Sequence, residues 1–325
     1  MPVNAKQFHT DSFLTGTALA NGAYTLIADQ IFPIRSVAQQ SGILPSIDPN
    51  RQLLRLIDTE VSPGARYPSI EVQVSKDLSF FCKKWGVNQP IPDEFRANAV
   101  NETELAINGA LNVGKLLTLK REKALVDGLV AAYTGGAYTL TPSTKWGAAA
   151  GTPLAQIKTA IALIESRTGV SPNVLGLDVQ VLRAIFNTTE VTEKQIYTLS
   201  PIQQGNSTDV MATMLAGMLG IDRVLVTKNA FINTAAKDAV AVLTPCWGQL
   251  AFLCRVEAPS LEFNGTGLHT AWNGNGKFGG GEQDGVRVRH YRAEDQDADI
   301  VAGSMYVDRL ICNKDTGFLF AGTLS

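Results

Sequence analysis

Residues 101–131 read NETELAINGALNVGKLLTLKREKALVDGLVA, and their pattern decides the architecture. Asn101 can accept a hydrogen bond from a free backbone N–H, and Glu104, three residues on, can reach back, as in a capping box. No proline interrupts the stretch. Ala106, Ala110, Val113, Leu117 and Ala124 recur at spacings of three, four or seven residues, which marks one helical stripe. Ile107, Leu111, Leu125 and Leu129 mark a second. The spacing predicts a single helix of about 30 residues and roughly 45 Å, well beyond the usual three turns. Such a helix is expected to act as a beam on which other parts are laid.

Upstream, residues 53–90 look extended. Ile70, Val72 and Val74 alternate with Glu71, Gln73 and Ser75, the period of a half-exposed strand. Leu78 and Phe80 suggest a second strand after Lys76-Asp77, and Pro63-Gly64 and Pro68 punctuate the approach. A two-stranded hairpin is marginal alone in water, so it is expected to lie on its own domain or a neighbour. Residues 1–48 lack clean periodicity, apart from a short helix expected within Thr25–Phe32 and stopped by Pro33. So long an irregular lead suits an arm lying across a neighbouring subunit better than part of a compact domain.

Downstream, residues 152–255 alternate helices and strands, as one mixed α/β core would. Thr152 is the expected N-cap and Pro153 the first residue of a helix whose apolar face is Leu154, Ile157, Ile161 and Ile164, with Gly169 as its stop. Residues 173–177, 223–227, 239–243 and 249–256 read as strands, and 179–186 and 209–219 as helices. Residues 264–285 are glycine-rich and are expected to form a loop or flexible arm. Residues 286–292, 298–312 and 317–324 have strand character.

The 325-residue chain is 45% hydrophobic, enough for a sizeable core, and length alone suggests about two domains. A net charge of -2 argues against a dedicated nucleic-acid binder, which shows a basic excess or stripe. The N-terminus carries no apolar signal-peptide core, and no apolar run approaches the roughly 18 residues that span a bilayer. Cys82, Cys246, Cys254 and Cys312 are scattered without a C-x-x-C pair, which points to free, mostly buried thiols.

Motifs that carry chemistry fail on context. Gly109 to Lys115 resembles a phosphate-binding loop, but Leu116 replaces the hydroxyl residue and the run falls inside the helix. Gly274 to Gly279 fits a dinucleotide-loop pattern with no strand before it. Asp295, Asp297 and Asp299 begin like a calcium loop, yet Ile300 and Tyr306 stand where glycine and glutamate belong, so a solvated acidic turn is expected. His9, His269 and His290 form no local metal pair. Arg287, Arg289 and Arg292 are expected to present a salt-bridged face to the acidic run that follows them. Trp85, Trp146, Trp247 and Trp272 are expected to pack in the core or at subunit interfaces. No catalytic, cofactor-binding or metal-ligating residue is assigned.

The order of parts resembles the major capsid protein of tailed double-stranded-DNA bacteriophages, an α+β fold shared with encapsulins and the floor of herpesvirus shells. Residues 168–175, Thr-Gly-Val-Ser-Pro-Asn-Val-Leu, are similar to that family's helix–Gly–x–x–Pro–Asn–strand passage. Residues 286–292, the acidic 294–299, Asp308-Arg309 and 318–324 resemble its closing strands. The resemblance implies an N-terminal arm over 1–48, an extended β-hairpin loop with flanking strands over 49–92, and a peripheral domain with its spine helix over 93–149. It further implies an axial domain over 150–263, a glycine-rich loop and peripheral strands over 264–312, and a final strand over 313–325. It implies pentamers and hexamers closing into an icosahedral head, made in a host cytoplasm, with the portal and scaffold or decoration proteins as partners. Packaged DNA would be held by weak, non-specific contact; no membrane, cofactor or catalysis is implied. Lys76, Lys83 and Lys84 lie where some relatives crosslink, but exposed solubilising lysines are expected here. The competing readings are an encapsulin-like compartment with protein cargo and a soluble α/β enzyme with its site in 150–263.

Overall fold

The computed structural model describes residues 14, 25–46, 60–64, 66–68, 75–98, 102–198, 207–236, 239–260, 263–274 and 286–324. In chain order the elements begin with α1 (Ala28–Ile31), β1 (Ile34–Val37), β2 (Ser41–Ser46), β3 (Ser75–Phe81) and β4 (Lys83–Pro92). A short helix α2 (Asp93–Ala97) precedes the long helix α3 (Glu102–Tyr133) and strand β5 (Thr139–Leu140). Then come α4 (Pro153–Thr168), β6 (Val174–Asp178), α5 (Val179–Phe186), α6 (Thr189–Thr198), α7 (Thr208–Leu219) and β7 (Arg223–Thr227). The chain continues through β8 (Phe231–Asn233), β9 (Leu243–Pro245), β10 (Ala251–Cys254), β11 (Gly267–Trp272), β12 (Val286–Ala293), β13 (Ala298–Ile311) and β14 (Phe318–Phe320).

Two five-stranded sheets organise these parts. In the first, β13 is the hub: β4 runs antiparallel along one edge, and β12 and β11 pair antiparallel along its length on the other, with β1 parallel to β11. The second has the order β5-β14-β10-β6-β7. Alternation along its strands buries both faces. Leu175, Leu177, Ala251, Leu253, Phe318 and Phe320 face α4, α5 and α7. Val174, Phe252, Cys254 and Leu319 face α1 and the end of α3.

Helix α3 joins the two sheets. Its first half sets Ala110 against Val288 and Val301, and Val113 and Leu117 against Val286 and Met305, all in the first sheet. Its second half sets Leu125, Val126, Leu129 and Tyr133 against the second. The helix lies close to β13 because residue 303 is glycine: a methyl group there would overlap Val113 and press on Leu117.

Several sequence expectations hold at residue level. Helix α3 spans the expected range, α5 and β7 match theirs, and Gly169 ends α4 in the left-handed conformation at φ 69°. Others are corrected. Residues 25–46 are not irregular: Ile27, Ile31 and Phe32 are buried in the chain's own core, and β1 is a sheet strand. The expected break at Lys76-Asp77 is absent, because β3 runs through it and pairs with β2. The proposed strand at 70–74 lies outside the described residues, as does Asn101. The glycine-rich stretch contains β11, which is almost wholly buried. Within 239–243 only Leu243 is in a strand, and α6 was not anticipated.

Gly303→Val is expected to force α3 off β13 and destabilise the fold by about 1–3 kcal/mol or more, the usual penalty of overpacking. Urea unfolding would show a lower midpoint with little change in slope.

Candidate functional site

The most constrained polar group is Glu122, midway along α3 and fully buried. Its carboxylate accepts from the Trp247 indole N–H at 2.5 Å, from the Ala28 N–H at 2.8 Å and from the Ile27 N–H at 3.2 Å. The last two are N–H groups at the start of α1, which have no partner within that helix. Burial pushes the Glu122 carboxyl above the usual carboxylate range, while the Trp247 and backbone donors pull it back. Next to it, Arg121 pairs with Asp29 of α1, and the His269 ring stands edge-on to Phe32 at 5.8 Å between centroids. Together these contacts clamp residues 25–32 and the turn at Trp247 onto the spine.

A second polar cluster sits where β4 ends. Arg292 donates to both carboxylate oxygens of Asp93, at 2.5 and 2.6 Å, and Arg96 reaches Asp299 at 2.7 Å. Donation from Arg292 holds the Asp93 carboxyl below its ordinary range. The expected arginine face is therefore corrected. Arg287 is buried, donates to the Ser304 hydroxyl at 3.0 Å and lies over the Tyr306 ring. The strand period puts Arg292 on the opposite face from Arg287 and Arg289, so Arg292 alone of the three enters the acidic turn. Its bidentate partner, Asp93, lies 199 residues away, beyond the reach of local pattern.

No chemical constellation forms from the remaining candidates. Among the described residues no group of three or more His, Cys, Asp or Glu side chains is arranged to hold a metal ion. His269 is buried and His290 exposed, on separate strands, and His9 lies outside the described residues. Gly109 to Lys115 is helix interior, where backbone N–H groups are already bonded and cannot cradle a phosphate. Asp297 takes a turn conformation at φ 42° between β12 and β13. Residues 275–279 of the glycine motif are outside the described set. Burial pushes the Cys246 and Cys312 thiols up to about 12, which leaves them without thiolate character. Trp146 and Trp247 are core residues. No helix among the described residues is long and apolar enough to cross a membrane.

The exposed surface carries a different signal. Strands β8 and β9 form a detached ribbon whose turn is tied by Asn233, its side-chain oxygen accepting from the Ala235 and Val242 N–H groups at 3.0 Å each. On it Phe231, Val242 and Leu243 are exposed, and Val240 is 89% exposed. Ile43 and Phe81 are exposed on the β2–β3 ribbon, and Tyr67 is 84% exposed. Single exposed apolar residues are ordinary, whereas large contiguous apolar patches mark interaction surfaces.

No protein-family model matches the sequence, and no curated protein matches it. Solved structures do. A phage-related protein from Bordetella bronchiseptica superposes with a TM-score of 0.71 at 19% identity, over 97% of this chain and 98% of that one. The capsid of cyanophage P-SCSP1u gives 0.58 at 11% identity, over 93% and 89%. An encapsulin complex from Synechococcus elongatus gives 0.51 at 9%, over 90% and 85%.

The chain has the tailed-phage capsid fold. The expected α+β class is borne out over nearly the whole length.

Two outcomes test the polar clusters. Glu122→Gln places an NH₂ group against at least one N–H donor and is expected to lower stability by about 1–3 kcal/mol, the penalty of an unsatisfied buried group, measured by chemical denaturation. The Asp93 carboxyl has a lowered pKa in the folded protein, so its contribution is full above about 3.9, the unfolded value, and is lost as pH falls through the folded value. The melting-temperature gap between the wild type and Asp93→Asn should therefore be present at neutral pH and close below about pH 4.

Proposed function

We propose that this chain is the major capsid protein of a tailed phage, a shell subunit that closes with copies of itself into an icosahedral head around double-stranded DNA. The observation that carries the reading is the full-length likeness to the Bordetella phage-related protein, both chains being covered almost end to end. The exposed apolar residues of the β8–β9 and β2–β3 ribbons fit the same reading. They are wet in one copy and would be covered in a shell, where many modest interfaces add through closed symmetry.

In this reading residues 25–37 pack into the chain's own core and first sheet rather than forming a free arm, and 49–92 supply the extended loop with its flanking peripheral-domain strands. Residues 93–149 and 264–312 build the peripheral domain, 150–263 the axial domain, and 313–325 return to it. Copies gather as pentamers and hexamers in the host cytoplasm, with portal and scaffold or decoration proteins as partners. DNA is retained by closure rather than by tight binding, in keeping with a net charge of -2. The role is structural, not enzymatic. The second reading, an encapsulin-type shell around protein cargo, is favoured by the Synechococcus likeness. The contents of the lumen separate the two.

Electron microscopy of the purified protein, with light scattering for mass, is expected to show closed shells or capsomer rings. The double variant Val242→Asp, Leu243→Asp should keep the circular-dichroism spectrum of the wild type and lose those particles. A wild type that stays a small monomer or dimer, even with scaffold or crowding agent, would overturn the shell reading.

A further inference from the structure

A cavity of about 110 Å³ opens where the base of β4, the middle of α3 and the C-terminal half of β13 meet. One water needs roughly 10–15 Å³ of such space, so the cavity admits a group of several heavy atoms. Its wall carries Lys83 from β4, Lys120 and Arg121 from α3, and Arg309 from β13, along with Asp308 and His269. Four cations from three elements thus converge on a small volume.

The two nearby carboxylates are already engaged. Asp308 accepts from the Phe81 N–H at 2.8 Å and from the Arg309 N–H at 2.9 Å, and Asp29 is held by Arg121. Arg121 is 5% exposed and His269 2%. Yet Arg121 Nη1 and His269 Nε2 have no hydrogen-bond partner among the described residues, while His269 Nδ1 lies 3.7 Å from Asp29 Oδ1, too far for a hydrogen bond. Buried donors without acceptors are unfavourable, and like charges in a partly dry cleft repel strongly. Burial, with Arg121 and Arg309 nearby, holds His269 at about 3, so at neutral pH it offers one N–H without adding charge.

The backbone also makes room. Glycine is unfavourable inside a helix, but any side chain at Gly128 would overlap the guanidinium of Arg309. Gly128 is what lets Arg309 lie against α3. On the other side the Lys120 ammonium sits 5.2 Å from the centre of the Trp85 ring.

We propose that this cavity binds a small oxyanion of the phosphate class, held by Lys83, Lys120, Arg121 and Arg309 over a floor that includes His269. The bound anion ties β4 to α3 and β13 and so stiffens the base of the extended segment. The inference stands on the cavity and holds whether or not the chain builds shells.

Calorimetric titration of the full-length protein with inorganic phosphate, against chloride at matched ionic strength, tests it. One saturable phosphate per chain is expected, with a rise in melting temperature. Arg309→Gln and Lys120→Gln, both at exposed positions, should each weaken binding by about tenfold or more, as loss of a charge-assisted bond does. Lys123→Gln, whose ammonium pairs instead with Asp127, should leave it unchanged. Displacement of the phosphate by a short single-stranded oligodeoxynucleotide would assign the site to nucleic-acid phosphate; no displacement would assign it to free phosphate. Equal responses to phosphate and chloride, or undiminished binding by both variants, would overturn the proposal.

Discussion

A carboxylate buried in the middle of a 32-residue helix is costly unless every oxygen is satisfied. At Glu122 the satisfaction comes from an indole 125 residues downstream and from backbone N–H groups about 95 residues upstream. The carboxylate therefore fixes where α1 crosses the spine, and β1 then follows into the first sheet beside β11. The same point holds Trp247 at the turn before β10, which enters the second sheet. One buried carboxyl group thus ties residues 27–28, the long helix and the turn before β10 together.

The spine makes that register matter. Its first half packs on one sheet and its second half on the other, so the two sheets share a single rigid element. Close approach at Gly303 brings the first sheet against the helix, and the alternation of Val174, Phe252 and Leu319 turns the second sheet's other face to it. The two ribbons each pack one side on this centre, β2–β3 through Leu44 and Phe80 and β8–β9 through Ile232. Their outer sides leave Val240, Leu243, Ile43 and Phe81 exposed in one copy.

Local periodicity found the elements whose apolar residues meet a nearby surface. Helix α3 was visible because its stripes recur over many turns, and α5 because Val181, Leu182 and Ile185 fall on one face. Pattern failed where a distant partner decides the outcome. Strand β11 reads as loop because its burial depends on β1 and β13 on either side, not on alternation of its own. The start of α4 looks capped by Thr152, yet its free N–H groups at Leu154 and Ala155 donate to Glu190 in α6, at 2.9 and 3.1 Å. Arg292 points to an acidic run by sequence, and Asp93, far upstream, provides its bidentate contact.

The sequence by itself determined the long helix, the alternating α/β region after it, the closing strands and the order in which they come, because each is written in spacings of two to four residues. Only the tertiary structure decided that residues 27–32 belong to the core, that Glu122 is their anchor, and that four cations share one cavity. Those facts depend on groups brought together across a hundred residues or more, and the energy of a buried charge or an unpaired donor is set by what surrounds it in space.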